Sequence, residues 1–267
     1  MNKINSEILV VIQARRGSTR LPDKIMMPLA GKPLLIRMVE RVQAIKTAAK
    51  IVVAATIDSN DDIVEKLCKE NNIECFRGHP TDLLERHYKC AEKYKADVVS
   101  KIPSDCPLID PQIIDKVFGY YLKNNFDFVS NLHPATYPDG NDVEVMSFDT
   151  LETAYKEAVL QMEREHTTPF IWERPERFKI GNVEWETGLD YSKSHRFTID
   201  YIEDYEFIKR IYDELYADNP LFGLADILNL LKQKPEIYEI NQKYAGEYWY
   251  KNHIGELKTV DYKNNKR

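Results

Sequence analysis

Apolar positions follow two alternating periods through the first 130 residues. Short β-rich runs, ILVVI (8–12), IVVAATI (51–57), IECF (73–76), DVVSKI (97–102) and FDFVS (126–130), read as strands. Between them PLLIRMVERVQAI (33–45), DDIVEKLCKEN (61–71), DLLERHYKCAEKY (82–94) and PQIIDKVFGYYLKN (111–124) place apolar residues at helical spacing. Strands that read as continuous apolar runs are buried on both faces. The alternation therefore predicts an α/β fold, a mostly parallel sheet flanked by helices.

The rhythm breaks after Ser130. NLHPATYPDGNDVEVMSF is a loop rich in Pro, Asp and Asn that leads to an alternating strand, and FKIGNVEWETGLDYSKS alternates in part. The region 133–195 thus predicts an inserted antiparallel extension, a lid or a homodimer contact, before HRFTID (195–200) returns to the main sheet. A helix over EDYEFIKRIYDELY follows, and FGLADILNLLKQKPEIYEINQKYA reads as two more. This divides the chain into an α/β domain over 1–215 and a helical extension over 216–267, with disorder expected chiefly at the end YKNNKR.

In an open parallel sheet, ligands sit beyond the carboxyl ends of the strands. The loop after the first strand, QARRGSTRLPDK (13–24), gathers Arg15, Arg16, Arg20 and Lys24 with Gly17 for a tight turn and Ser18 and Thr19 as short donors. It fits neither the Walker A nor the G-x-G-x-x-G pattern. The net charge of the 267-residue chain is −6, so cations concentrated here answer a compact anion, and a nucleoside triphosphate carries roughly −4. Two further loops carry carboxylates: Asp105 in PSDCPLIDP after the strand DVVSKI, and Asp200 at the end of HRFTID. Two aspartates together with a polyphosphate can hold Mg²⁺, which usually takes one or two protein carboxylates. Asp110, just before Pro111, reads as a helix N-cap.

Composition narrows the classes. An acidic chain without a broad basic face predicts no nucleic-acid partner. The apolar run 8–12 is too short for a secretory core or a membrane span, and a cytoplasmic location is the expectation. Cys68, Cys75, Cys90 and Cys106 form no C-x-x-C pair and read as free thiols.

In order and spacing, VIQARRGSTRLPDKIMMPLAGKPLL, GHPTDLLERHYKCAEKY, PSDCPLIDP, YPDGNDVEV, EREHTTPFI and HRFTIDYIEDYEFI resemble the cytidylyltransferase family that includes CMP-ulosonic acid synthetases, in particular its spore-coat polysaccharide (SpsF) branch. The similarity covers roughly residues 8–210. It implies a Rossmann-like nucleotide-diphospho-sugar transferase fold and Mg²⁺-dependent transfer of CMP from CTP to a sugar hydroxyl. Carried over by motif, Gln13, Ala14, Arg15, Ser18, Arg20, Lys24 and Asp105 would bind the nucleotide, and Asp105 and Asp200 the metal. Arg15, Lys24, Asp105 and Asp200 would then be the catalytic set. Asp23 stands where this branch often has Gly, and Pro103-Ser104 where Thr-Gly is common.

The remaining candidates admit two readings each. Arg77, Gly78 and Arg86 lie at the edge of the nucleotide site, where the arginines reach base or ribose or Arg86 simply lies on a helix surface and Gly78 supplies a turn. Asp139, Asn141, Asp142 and Glu144 suit a hydroxyl-rich acceptor, and Asp139 also suits a turn. His166, Tyr137 and Trp185 are acceptor contacts or packing residues. The competing functions are a glycosyltransferase consuming a nucleotide sugar, which commonly uses a D-x-D motif absent from this chain, and a catalytically idle binding protein.

Overall fold

The computed structural model describes residues 7–247, 249–253 and 255–259, so the terminal YKNNKR lies outside the described residues. Seven strands form one sheet. In chain order, β1 (Ile8–Gln13), β4 (Ala49–Thr56), β5 (Glu74–Gly78), β6 (Val98–Pro103), β7 (Phe128–Ser130), β8 (Glu144–Ser147) and β9 (Ile180–Asn182) are arranged 5-4-1-6-8-7-9. A separate two-stranded hairpin joins β2 (Pro28–Leu29) to β3 (Lys32–Pro33) through Ala30 and Gly31, both at positive φ.

The order follows from burial. β1, β4, β5 and β6 are parallel, joined by helices α1 (Leu34–Gln43), α2 (Asp62–Glu70) and α3 (Leu83–Tyr94), because apolar strands need cover on both faces. One face packs Val10, Ile12, Val53 and Ile102 beneath α1, α2 and α4 (Pro111–Lys123); the other packs Leu9, Val11, Val99 and Met146 beneath α3, α5 (Phe148–Glu157) and α7 (Pro169–Trp172). Short caps set the helix starts: Asp82 accepts from Glu85 N at 2.8 Å, Asp110 from Gln112 N at 2.8 Å and Ser147 from Thr150 N at 3.1 Å. The N-cap reading of Asp110 is correct.

β8 runs antiparallel to both β6 and β7, which is the expected antiparallel component, but β9 pairs with β7 in parallel. The segment 195–200 does not return to the sheet. It is an extended run with a single bridge to Asp139, and its backbone docks through Ile199 N on Asp105 O at 2.9 Å. Its odd positions, Phe197 and Ile199, sink into a third core with α8 (Ile202–Leu215) and α9 (Leu224–Gln233). The even positions, Arg196 and Asp200, face the loops at the carboxyl ends of β1 and β6. The short α10 (Pro235–Tyr238) closes this core, and α6 (Gln161–His166) precedes α7. Among the described residues no helix is long and apolar enough to cross a membrane.

Candidate active site

β1 connects to β4 on one side while β6 pairs with β1 on the other, so the strand order reverses between β1 and β6. In open α/β sheets that crevice receives ligand. The cationic loop starts where β1 ends and folds over it. Asp61, 2% exposed, anchors the loop by accepting from Arg16 N at 2.9 Å. Arg16 and Asp23 form a two-pronged ion pair at 2.6 and 3.0 Å, which removes Arg16 from the field offered to a ligand and accounts for an acidic residue in this loop. Arg15 is exposed and takes no carboxylate partner among the described residues. Ser18 Oγ accepts from Leu21 N at 3.4 Å, closing the turn.

Lys24 ties the crevice together. Only 8% exposed, its Nζ donates to Ile199 O at 2.6 Å and to Asp200 Oδ1 at 3.0 Å, and lies 3.6 Å from Asp105 Oδ2. Three segments far apart in sequence thus meet at one ammonium. Asp200 also pairs with Arg20 (2.9 Å) and Arg196 (3.1 Å), and Arg196 in turn holds Asp204 at 3.0 Å and Asp139 at 3.3 Å. Arg196, Asp204 and Asp61 were not found from the sequence, because their roles rest on contacts between distant segments.

This arrangement splits the expected metal pair. Asp105 is a third exposed and presents hard oxygen at the crevice, which suits Mg²⁺ with its retained waters. Both Asp200 oxygens already serve cations, Oδ1 with Lys24 and Arg20 and Oδ2 with Arg196, so in this arrangement Asp200 fits a counter-ion rather than a metal ligand. Among the described residues no group of three or more His, Cys, Asp or Glu side chains is placed to hold a metal ion.

Gln13 ends β1 with its Oε1 buried and unpartnered, and Ala14 N bonds Ala54 O at 3.1 Å, fixing the loop's exit. Arg86 is not on a helix surface. It is 2% exposed and donates only to carbonyls, His79 O at 2.9 Å and Pro80 O at 2.8 Å; burial, with the charge of Arg15 second, pushes its pKa down to about 10. Gly78 supplies no turn. A Cβ there would stand 2.8 Å from Arg86 Cγ and 2.7 Å from Phe76, so the glycine admits Arg86. Arg77 is committed elsewhere, to Asp62 and Glu65 at 2.8 Å each, which fastens β5 to α2.

The PDGND turn is partly structural. Gly140 has φ +101, and a Cβ would lie 2.6 Å from Phe197 C. Asn141, 1% exposed, accepts from Asp110 N at 3.1 Å, which makes it a brace rather than an acceptor contact. Tyr137, 3% exposed, packs on Trp185 and bonds Glu186 at 3.3 Å, so both aromatics belong to the packing of the insertion. Asp139 and Asp142 do face Asp105: burial first, then Asp142's charge, raises Asp139 well above the usual range, and burial with Asp105 raises Asp142 to about 6. Glu144, 3% exposed, pairs with Lys101 and accepts from Thr168 Oγ1 at 2.6 Å. His166 ends α6 near Lys101 and Arg15, and packs edge-on against His253 of the C-terminal segment.

Comparison with known proteins gives this geometry its context. The chain is 37% identical over 239 residues to the uncharacterized protein MJ1063 of Methanocaldococcus jannaschii, covering 88% of this chain and 94% of that one. It is 30% identical over 236 residues to the spore coat polysaccharide biosynthesis protein SpsF of Bacillus subtilis, covering 86% and 96%. The solved structure of a cytidylyltransferase from Leptospira borgpetersenii superposes with a TM-score of 0.82 at 35% identity, over 88% of this chain and 98% of that one. The sequence profile described as cytidylyltransferase matches residues 9–246, nearly the whole chain, and the chain belongs to that family.

Proposed function

We propose that the protein transfers CMP from CTP to a hydroxyl of a sugar acid or related polyhydroxylated acceptor, releasing pyrophosphate, in the biosynthesis of a surface polysaccharide. The observation that carries this reading is the convergence of Arg15, Arg20 and Lys24 at the β1–β6 crevice, with Lys24 held between Asp105 and Asp200. The family supports CTP as donor, and the printed role of SpsF supports a glycan precursor as acceptor.

The residues act by position and charge. The unpaired Arg15 and half-exposed Arg20 meet the triphosphate, and Lys24 stands at the junction of the loop with Asp105. The acceptor oxygen attacks the α-phosphorus, the bond to the bridging oxygen breaks, and negative charge grows on the departing pyrophosphate. Fixed cations in a partly desolvated crevice stabilise that charge without reorganising. Mg²⁺ held by Asp105 and the nucleotide's own phosphate oxygens would neutralise further charge on the triphosphate.

A matrix of four nucleoside triphosphates against sugar acids and sugar phosphates, read as pyrophosphate release, tests the proposal. CTP with one acceptor class should dominate. Release with no acceptor in the panel, or equal use of all four nucleotides, would count against it.

A further inference from the structure

Strand register places one polar row across the sheet beside the nucleotide loop. Val11 of β1 aligns with Lys101 of β6, Lys101 with Glu144 of β8, and Glu144 with Ser130 of β7. These side chains share one face, the face that is apolar toward the amino end of the sheet at Leu9, Val99, Met146 and Phe128. Toward the carboxyl end the same face turns polar at Lys101, Glu144 and Ser130, and then at Gln13 one row on.

What covers this row is also polar. Thr168 donates to Glu144 at 2.6 Å, and His133 stacks on Trp172 at 4.4 Å. His87 on α3 is 1% exposed; its Nδ1 lies 2.8 Å from Leu83 O, while its Nε2 has no partner. Thr167 holds φ +74, a left-handed conformation disfavoured for a β-branched residue, and its buried Oγ1 is also unpartnered. Burial pushes His87 and His166 down to about 3 and His133 to about 4, and Lys101 is an electrostatic neighbour of all three. A single ion pair is therefore ringed by uncharged imidazoles and hydroxyls. Buried ion pairs add little to stability, and buried unpartnered donors or acceptors subtract from it, so their accumulation here calls for a ligand.

We propose that Lys101, Glu144 and Thr168, with His133 and His166 beside them, form the pocket for the hydroxyl groups of the acceptor. The inference rests on the CMP-transfer reading and deepens it. One lysine offsets one glutamate and the imidazoles are neutral, so the pocket is matched to an uncharged polyol portion rather than to a second anion. Glu144 accepts from hydroxyls, Lys101 donates to them, and each neutral imidazole does either. Lys101 becomes a specificity-determining residue, and the adjoining Gln13 and Arg15 place the pocket next to the triphosphate loop.

The test uses full-length protein carrying ¹³C-labelled histidine, titrated separately with CTP, an eight-carbon ulosonate, a hexuronate and a pentitol phosphate. At least one of the three acceptor probes should move the His133 and His166 imidazole signals. In Thr168→Val, and in the double variant Lys101→Met with Glu144→Leu, which leaves no unpaired buried charge, affinity for that probe should fall about tenfold or more while CTP affinity stays within about twofold. Unchanged probe affinity in these variants, shifts confined to His79 or His195, or no shift with any probe overturns the pocket. Binding without pyrophosphate release would leave the pocket standing and sink the transfer reading; release with unmoved imidazoles would do the reverse.

Discussion

Replacing Lys24 by Met removes the one ammonium that joins the first loop to segments about 80 and 175 residues away. The side chain is 8% exposed, so its contacts are little screened. Breaking a buried ion pair outright costs about 3–5 kcal/mol. Asp200 keeps Arg20 and Arg196, however, and Asp105 is a third exposed, which lowers the expected loss to about 2 kcal/mol, as for a charge-assisted hydrogen bond. For a chain of this size that is a melting temperature lower by roughly 5 °C. If Lys24 also meets charge developing on the phosphoryl group, kcat should fall by about 10²–10³, the effect of deleting a preorganised donor. Calorimetry and a coupled pyrophosphate assay read the two effects separately. A variant that melts lower but turns over within about threefold of wild type would refute the catalytic reasoning while leaving the structural tie intact.

Arg15→Ala should raise the KM for CTP severalfold without changing the melting temperature, since Arg15 is exposed and has no carboxylate partner among the described residues; equal KM values would remove it from the site. Gly140→Ala should lower the melting temperature by several degrees, because φ +101 and a 2.6 Å approach to Phe197 leave a methyl no room, and an unchanged melting curve would contradict the close approach. Stability should fall with pH below about 6.5, where unfolded histidines take up protons that buried His87 refuses until about pH 3. The slope is positive because the unfolded state binds more protons, and His87 alone contributes roughly 2 kcal/mol between pH 6.5 and 5. Asp142, raised to about 6, opposes this weakly, so denaturant midpoints at pH 7 and 5 should still decrease, and His87→Gln should flatten the slope.

The parallel half of the sheet was legible because its strands are buried on both faces and so carry no polar interruption. The same rule held the overlooked clue: Lys101 is the charge inside DVVSKI, a residue such a strand tolerates only with a partner. HRFTID misled for a physical reason. Its alternation is real, but Phe197 and Ile199 are buried by α8 and α9, and its backbone bonds to Asp105 and Asp139 instead of a strand ladder. The hairpin in MMPLAGKPLL was missed because only two residues pair on each side. The helices α5 to α7 lie in a region where Pro, Asp and Asn mask helical spacing. At the site, residue types pointed to Arg15, Lys24, Asp105 and Asp200, whereas the structure alone separates Arg77 and Asn141, which brace, from Glu144 and Lys101, which form a buried pair.

The claim on which the account stands is that the loop at the end of β1 cradles a triphosphate. A crystal structure of the protein soaked with CTP and Mg²⁺ tests it most directly. Phosphate oxygens within hydrogen-bond reach of Arg15, Arg20 and Lys24, with cytosine lying toward Arg86, is the predicted result. Nucleotide bound away from that loop, with Lys24 still fastened to Asp200 and Asp105, would contradict it.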